Sequence, residues 1–176
     1  MVLAESKRLF LRRAEKKDVD YIINLQHKPE NRPYIVPYEQ ERQTKALEEN
    51  GDTMNTVVTE KSSGESVGYV FISGLTSENN EVEWTHVITD KKGIGYGHET
   101  MQMLKNWAFG QKNFHRAWMD CKTKNTRALH LYETEGMVKE GVLRECILYN
   151  GEYQDLVILS MLRREYEARR EQGLEI

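Results

Sequence analysis

Residues Asp90 to Thr100 read DKKGIGYGHET, with glycines at 93, 95 and 97 closing a strand-like run and opening a helix-like one. Glycine adopts backbone conformations that other residues avoid, and it leaves no side chain between the amides and an approaching group. Such a turn, followed by the positive end of a helix, favours a pyrophosphate or a similar anion. Alone, a G-x-G-x-G run equally suits a glycine-rich hairpin or a helix start with no ligand. The surrounding chain has to decide.

Upstream, Glu81 to Thr89 (EVEWTHVIT) alternates as a strand, which puts Glu81, Glu83, Thr85 and Val87 on one face and Val82, Trp84, His86 and Ile88 on the other. Downstream, Tyr96 to Phe109 carries Met101, Leu104, Lys105 and Ala108 on one face of an expected helix, with Gly110 as its stop. Phe114 to Cys121 (FHRAWMDC) reads as the next strand, so strand, turn, helix and strand form one parallel crossover unit. The glycines therefore sit where an anion-binding turn belongs.

Further out, Arg8 to Arg12 is a short strand with Leu9 and Leu11 on one face, and a helix capped by Asp18 runs to about His27. Residues 28 to 38 (KPENRPYIVPY) hold all three prolines and two tyrosines, either framing a pocket or packing as a surface loop. Glu39 to Asn50 suggests a polar helix ended by Gly51. Thr53 to Glu60 and Glu65 to Ser73 are hairpin strands around SSGE. Asn125 to Glu135 is a helix capped by Asn125 and ended by Gly136. Met137 to Tyr149 and Tyr153 to Met161 are strands joined at Asn150-Gly151, a strong hairpin signal. From Arg163 the tail is charged throughout and reads as a solvated helix to about residue 173.

At 176 residues without a composition break, the chain is expected to form one domain over 1–176, with its core over about residues 6–162. A net charge of −3 argues against bulk nucleic-acid binding. Neither a signal-peptide core nor a membrane-length apolar run occurs, so no membrane partner and a cytoplasmic location are expected. Cys121 and Cys146 lack C-x-x-C spacing, and no metal site is expected.

The order of elements resembles that of the GNAT superfamily of N-acetyltransferases. Lys92-Gly93-Ile94-Gly95-Tyr96-Gly97 is similar to its acetyl-CoA signature, Gln/Arg-x-x-Gly-x-Gly/Ala, with lysine at the first position. Asn125 to Met137 (NTRALHLYETEGM) resembles the family's Asn-x-x-Ala, Leu-Tyr-Glu, Gly-Phe motif, with Met137 for phenylalanine. Glu140 to Glu145 with Asn150 to Asp155 is similar to the closing hairpin of the spermidine and ribosomal-protein-alanine acetyltransferase group. The resemblance implies an α/β (α+β) fold, a mixed and mostly antiparallel sheet of about six to seven strands with helices on both faces.

It also implies acetyl-CoA as cosubstrate, lying along Val87, Ile88 and Thr89, with its pyrophosphate against Lys92 to Gly97 and His98, and with Asn125 nearby. Direct transfer to an amine needs an oxyanion donor, an acid for the thiolate and a base for the amine. The Val87 amide, Tyr132 and Glu83 are the respective candidates. Glu81 shares the face of Glu83 and serves as alternative base or as part of an acidic lip for cationic amines, and His86 competes as base. The acceptor is a polyamine-like cation or a protein N-terminus, and homo-oligomerisation is left open. The rival from another class is a catalytically silent GNAT-like module that binds an acyl-CoA and regulates. A dinucleotide fold does not fit, because G-I-G-Y-G is not G-x-G-x-x-G and falls after half the chain.

Overall fold

The computed structural model describes residues 1–48 and 51–175. Eight strands form one sheet: β1 (Val2–Glu5), β2 (Leu9–Arg13), β3 (Met54–Glu60), β4 (Ser66–Ser73), β5 (Glu81–Thr89), β6 (Arg116–Lys122), β7 (Val138–Tyr149) and β8 (Glu152–Leu162). Their order is β1-β2-β3-β4-β5-β6-β8-β7, antiparallel except for the β5/β6 pair. Among the described residues there are five α-helices: α1 (Val19–His27), α2 (Gln40–Lys45), α3 (Tyr96–Lys105), α4 (Thr126–Thr134) and α5 (Arg163–Glu171).

The sheet separates two apolar clusters. On one face Leu9, Leu11, Val70, Ile72, Val82 and Trp84 pack with Met101, Leu104 and Trp107 of α3 and the turn after it. On the other, Val57, Tyr69, Phe71 and Ile88 pack with Ile22 and Leu25 of α1 and with Ala46. Among the described residues no helix is long and apolar enough to cross a membrane.

Several boundaries differ from the sequence expectation. The strand beyond the expected six to seven is β1, whose Leu3 and Ala4 are buried, so the core begins before residue 6. The third helix is α-helical to Lys105 and continues as a wider π-turn over Asn106–Gln111, where the Lys112 amide bonds the Trp107 carbonyl. The polar helix stops at Lys45, because the Ala46 carbonyl accepts from the Asn55 amide and hands the chain to β3. Glu49 and Asn50 lie outside the described residues. The charged tail helix is not solvated all round: Tyr166 is buried, its ring stacked on Phe109 at 5.2 Å.

Two irregularities shape the site. Pairing of β5 with β6 covers only Glu81↔Arg116, Val82↔Ala117 and Glu83↔Trp118. Beyond Glu83 the two strands part, and β5 presents an edge without a β6 partner. Opposite β4, Phe71 faces His86 and Ile72 faces Trp84, so Thr85 is the extra residue of a β-bulge. The bulge breaks the expected alternation, since one inserted residue exchanges the faces of all that follow. Val82, Trp84 and Val87 accordingly lie with the α3 cluster, whereas Ile88 lies with the α1 cluster. His86 follows Ile88: it stacks on Tyr38 at 4.3 Å and meets Tyr69 edge-on at 6.2 Å.

Candidate active site

Two adjoining chambers lie along the free end of β5, the second of them between β5 and β6. The first, of about 290 Å³, lies at the glycine turn. One wall is the end of β5, Val87, Ile88 and Thr89, and the floor is the turn with Lys92, Gly93, Gly95, Tyr96 and Gly97, followed by His98. The opposite wall comes from α4, with Asn125, Arg127, Leu131 and Tyr132.

The turn takes this shape because Gly93 (φ +77°) and Gly95 (φ +88°) are left-handed, a region costly for L side chains. A side chain at Gly93 would meet nothing within 4 Å, so the backbone there faces open space. Gly97 is small for another reason: a Cβ would lie 2.9 Å from Leu131, and its absence lets the start of α3 approach α4. Gly95 caps α3, whose first-turn amides lack intrahelical partners and offer donors to an anion.

Of the residues expected at this site, Ile94 is the exception. Its side chain is largely exposed and is absent from the chamber wall, while its carbonyl accepts from Arg8 at 2.8 Å. Lys92 lines the chamber, but its ammonium is donated to the Thr89 carbonyl. Burial, then the Arg127 charge, lower its pKa to about 8. Asn125 is held as the cap of α4, its Oδ1 accepting from the Ala128 amide at 3.3 Å. His98 bonds Glu135 at 2.7 Å, and Glu135 in turn meets the buried Lys105 ammonium at 2.9 Å.

The second chamber, of about 160 Å³, shares Tyr34, Ile35, Val87, Asn125 and Tyr132 with the first. Loop 28–38 thus frames the pocket, fixed by bonds from Asn31 Nδ2 to the Leu25 carbonyl at 2.7 Å and from the Tyr38 amide to Gln26 Oε1 at 2.9 Å. Tyr132 and Val87 stand where the chambers meet. Burial, then Cys121 and Asp120, push the Tyr132 phenol well above its usual range, so it keeps its proton at neutral pH.

The carboxylates sort differently from expectation. Glu81 pairs with Arg116 at 2.9 Å, and the same guanidinium holds Glu140 at 2.8 Å. Neither Glu81 nor Glu83 lines a chamber wall, but Glu81 is in addition held by Arg116, which counts against it as the candidate base. Glu83 accepts from Ser73 Oγ at 2.8 Å and lies beside the second chamber, close enough to raise the pKa of Asp120 and Tyr38. His86 lines that chamber, but burial, then Arg42, hold its imidazole down to about 3. A group that releases its proton so readily is not the base.

Asp120 was missed in the sequence. It projects from β6 into the second chamber, and burial, then the Glu83 charge, push its carboxyl up to about 6. The signal was there: Ala117, Met119 and Cys121 alternate as core residues, leaving Asp120 on the face of Trp118 and Arg116. Arg127, two residues past Asn125, was also passed over. Cys121 borders the chamber as an inert thiol, its pKa raised to about 12 by burial, then Asp120.

A glycine turn at a helix start, a parallel pair that splays beyond Glu83 and a buried tyrosine thus meet around two adjoining chambers. Residues 8–138 match the model of the acetyltransferase (GNAT) domain, and the chain belongs to that family. It is an N-acetyltransferase. Along its sequence it is similar to spermidine N(1)-acetyltransferase of Vibrio cholerae serotype O1, 27% identical over 174 residues that cover 94% of this chain and 99% of the relative. The crystal structure of spermidine N-acetyltransferase from Vibrio cholerae in complex with CoA and spermine matches with a TM-score of 0.81 at 26% identity, covering 92% of this chain and 99% of that one. A dodecameric structure of the Vibrio cholerae enzyme matches at 0.78 and 27% identity, over 93% of this chain and 99% of that one.

Proposed function

We propose that this protein moves the acetyl group of acetyl-CoA directly to a primary amine of a small, cationic, polyamine-like molecule. The observation that carries the reading is Tyr132, a protonated phenol at the junction of a chamber with an anion-binding turn and a chamber lined by the Asp120 carboxylate with Glu83 near it. The likeness to a spermidine acetyltransferase that binds CoA and spermine supports the same acceptor class. A protein N-terminus fits less well, since a peptide would have to pass the loop that bears Tyr34, Ile35, Val36 and Tyr38.

In this reading the thioester supplies an activated acyl group, and the protein supplies position, charge and protons. The α3 amides and the Gly93 to Gly97 backbone hold the pyrophosphate. Val87 and the unpaired edge of β5 orient the thioester, and the Val87 amide donates to the carbonyl oxygen as it gains charge. Glu83 takes the proton of the attacking amine, directly or through a water. As the new C–N bond forms and the C–S bond breaks, Tyr132 gives its proton to the sulfur. The proton left on Glu83 restores Tyr132 through solvent, and the sum is an amide and a free thiol. We also propose self-association, as the dodecameric relative suggests.

Thiol release from acetyl-CoA in the presence of diamines, polyamines, monoamines and an N-terminal peptide tests the reading. Release with the diamines and polyamines is expected. Tight acetyl-CoA binding with no release for any acceptor would establish the silent regulatory module instead.

A further inference from the structure

Four carboxylates lie along β5, β6 and β7: Glu83 and Asp120 where β5 and β6 part, and Glu81 and Glu140 around Arg116 at the paired end. One guanidinium, Arg116, neutralises two of them, at 2.9 Å from Glu81 and 2.8 Å from Glu140. Glu83 has the Ser73 hydroxyl. The Asp120 carboxylate has neither a hydrogen bond nor an ion pair among the described residues, although it lines the second chamber. Lys122, two residues along, does not serve it, because its ammonium is donated to the Pro33 carbonyl at 3.3 Å and lies 4.2 Å from the centre of the Tyr149 ring. Arg42 is likewise taken, over the Tyr38 ring at 3.6 Å.

A half-buried carboxylate without a partner costs stability, and a cationic ligand in the chamber would remove that cost. A second orphan lies in the same chamber. His86 is 6% exposed, and its Nδ1 has no hydrogen-bond partner. In the neutral ring one nitrogen accepts. Nδ1 itself is closed off from the chamber, so His86 offers the chamber an uncharged ring wall, and the free Asp120 carboxylate there suits a cation whose carbon chain packs on such rings.

We propose that Asp120, in the chamber that the His86 ring also lines, receives a second, non-reacting ammonium of the acceptor, and so selects diamines and polyamines over monoamines. The inference rests on the acetyl-transfer reading above and assigns its specificity. Glu83 and Tyr132 handle the protons of the reacting amine and sulfur, while Asp120 fixes the other end of the chain. Burial supports this division: a carboxyl raised to about 6 is ionised at neutral pH yet poorly solvated, and an ammonium would remove that cost.

The test is steady-state kinetics of wild type, Asp120→Asn and Asp120→Glu with an α,ω-diamine and a monoamine of equal chain length. Asp120→Asn is expected to raise KM for the diamine about 10- to 100-fold, the range for a lost charged hydrogen bond. Its kcat and its KM for the monoamine should change less than about twofold, with partial recovery in Asp120→Glu. In the wild type the diamine-to-monoamine ratio of kcat/KM should fall as pH drops through about 6. The charged or titratable groups around Asp120 are Glu83 and His86 of β5, Lys122 and Cys121 of β6, Tyr34 and Tyr38 of the loop and Tyr132 of α4. Taking the ratio cancels protonation events common to both substrates. In Asp120→Asn that ratio should be flat.

A kcat that falls as far as the diamine affinity would make Asp120 part of the proton path and overturn the assignment. An unchanged diamine preference would overturn it as well, while wild-type turnover kept the acetyl-transfer reading intact. If the wild type acetylates no amine, both readings fall. Should Asp120→Asn fail to bind acetyl-CoA or to melt cooperatively, the wild-type ratio against pH still decides, since a ratio independent of pH and near unity overturns the proposal.

Discussion

The chamber at the glycine turn and the chamber beyond Tyr132 share a wall but are made of different things. The first is largely backbone, the open edge of β5, two left-handed glycines and the unbonded amides of α3, drawn from a few continuous stretches. The second is made of side chains from loop 28–38, β5, β6, α4, β7 and β8, and it includes an unpaired acid and an unpaired imidazole. Backbone donors suit a diphosphate, which is the same in every acyl-CoA. Side chains can be exchanged singly, which suits an acceptor that differs between enzymes.

Substitutions should separate the two chambers. The largest loss is expected from Gly95→Leu, because φ +88° and an Arg8 nitrogen 3.0 Å from the position of a Cβ oppose any side chain there. Acetyl-CoA affinity should fall more than about 100-fold in calorimetric titration, while strain of about 1–2 kcal/mol leaves the protein folded. Retained tight binding would mean that the turn holds no phosphate. Next, Tyr132→Phe should lower kcat about 100-fold, the lower bound for a lost general acid, with acetyl-CoA affinity unchanged. Equal losses in both would assign Tyr132 to packing, and the comparison would lose its hinge.

A stability measurement should mark the second chamber as the strained one. The folded pKa of Asp120, about 6, lies above its ordinary 3.8, so the native state binds the proton more tightly than the unfolded chain. This contribution therefore turns unfavourable as pH rises from about 4 to about 6, and it stays so at neutral pH. Asp120→Asn should thus stabilise the protein by about 1–2 kcal/mol at pH 7 in chemical denaturation, a gain that fades as pH falls from about 6 to about 4. A loss at pH 7 would show that Asp120 has a favourable partner. The smallest effect belongs to Lys92→Met in the first chamber, less than about fivefold in acetyl-CoA affinity, because that ammonium is bound to the Thr89 carbonyl. A larger loss would mean that Lys92 leaves that carbonyl for the phosphate.

Legibility in the sequence followed the same division. The Asn150-Gly151 hairpin was readable because both residues take positive φ in a two-residue turn that strand twist demands, and Tyr149 does pair with Glu152. The Asn125 cap was readable because its oxygen serves an amide three residues away. Glu81 misled because the Arg116 that neutralises it arrives across a parallel pair, 35 residues later. His86 and Val87 were assigned to the wrong faces because the bulge at Thr85 belongs to the pairing with β4 and leaves no mark in the period of β5.

What the sequence determined alone was the set of local devices: a glycine turn between strand and helix, a capped helix with Asn125 and Tyr132 on one face, and the closing hairpin. These depend on backbone conformation and on hydrogen bonds within a few residues, which composition and spacing control directly. Only the tertiary structure decided which carboxylates are free. That depends on where β5 and β6 part, which face the bulge presents and which acids Arg116 reaches, and each is settled between residues distant in the chain.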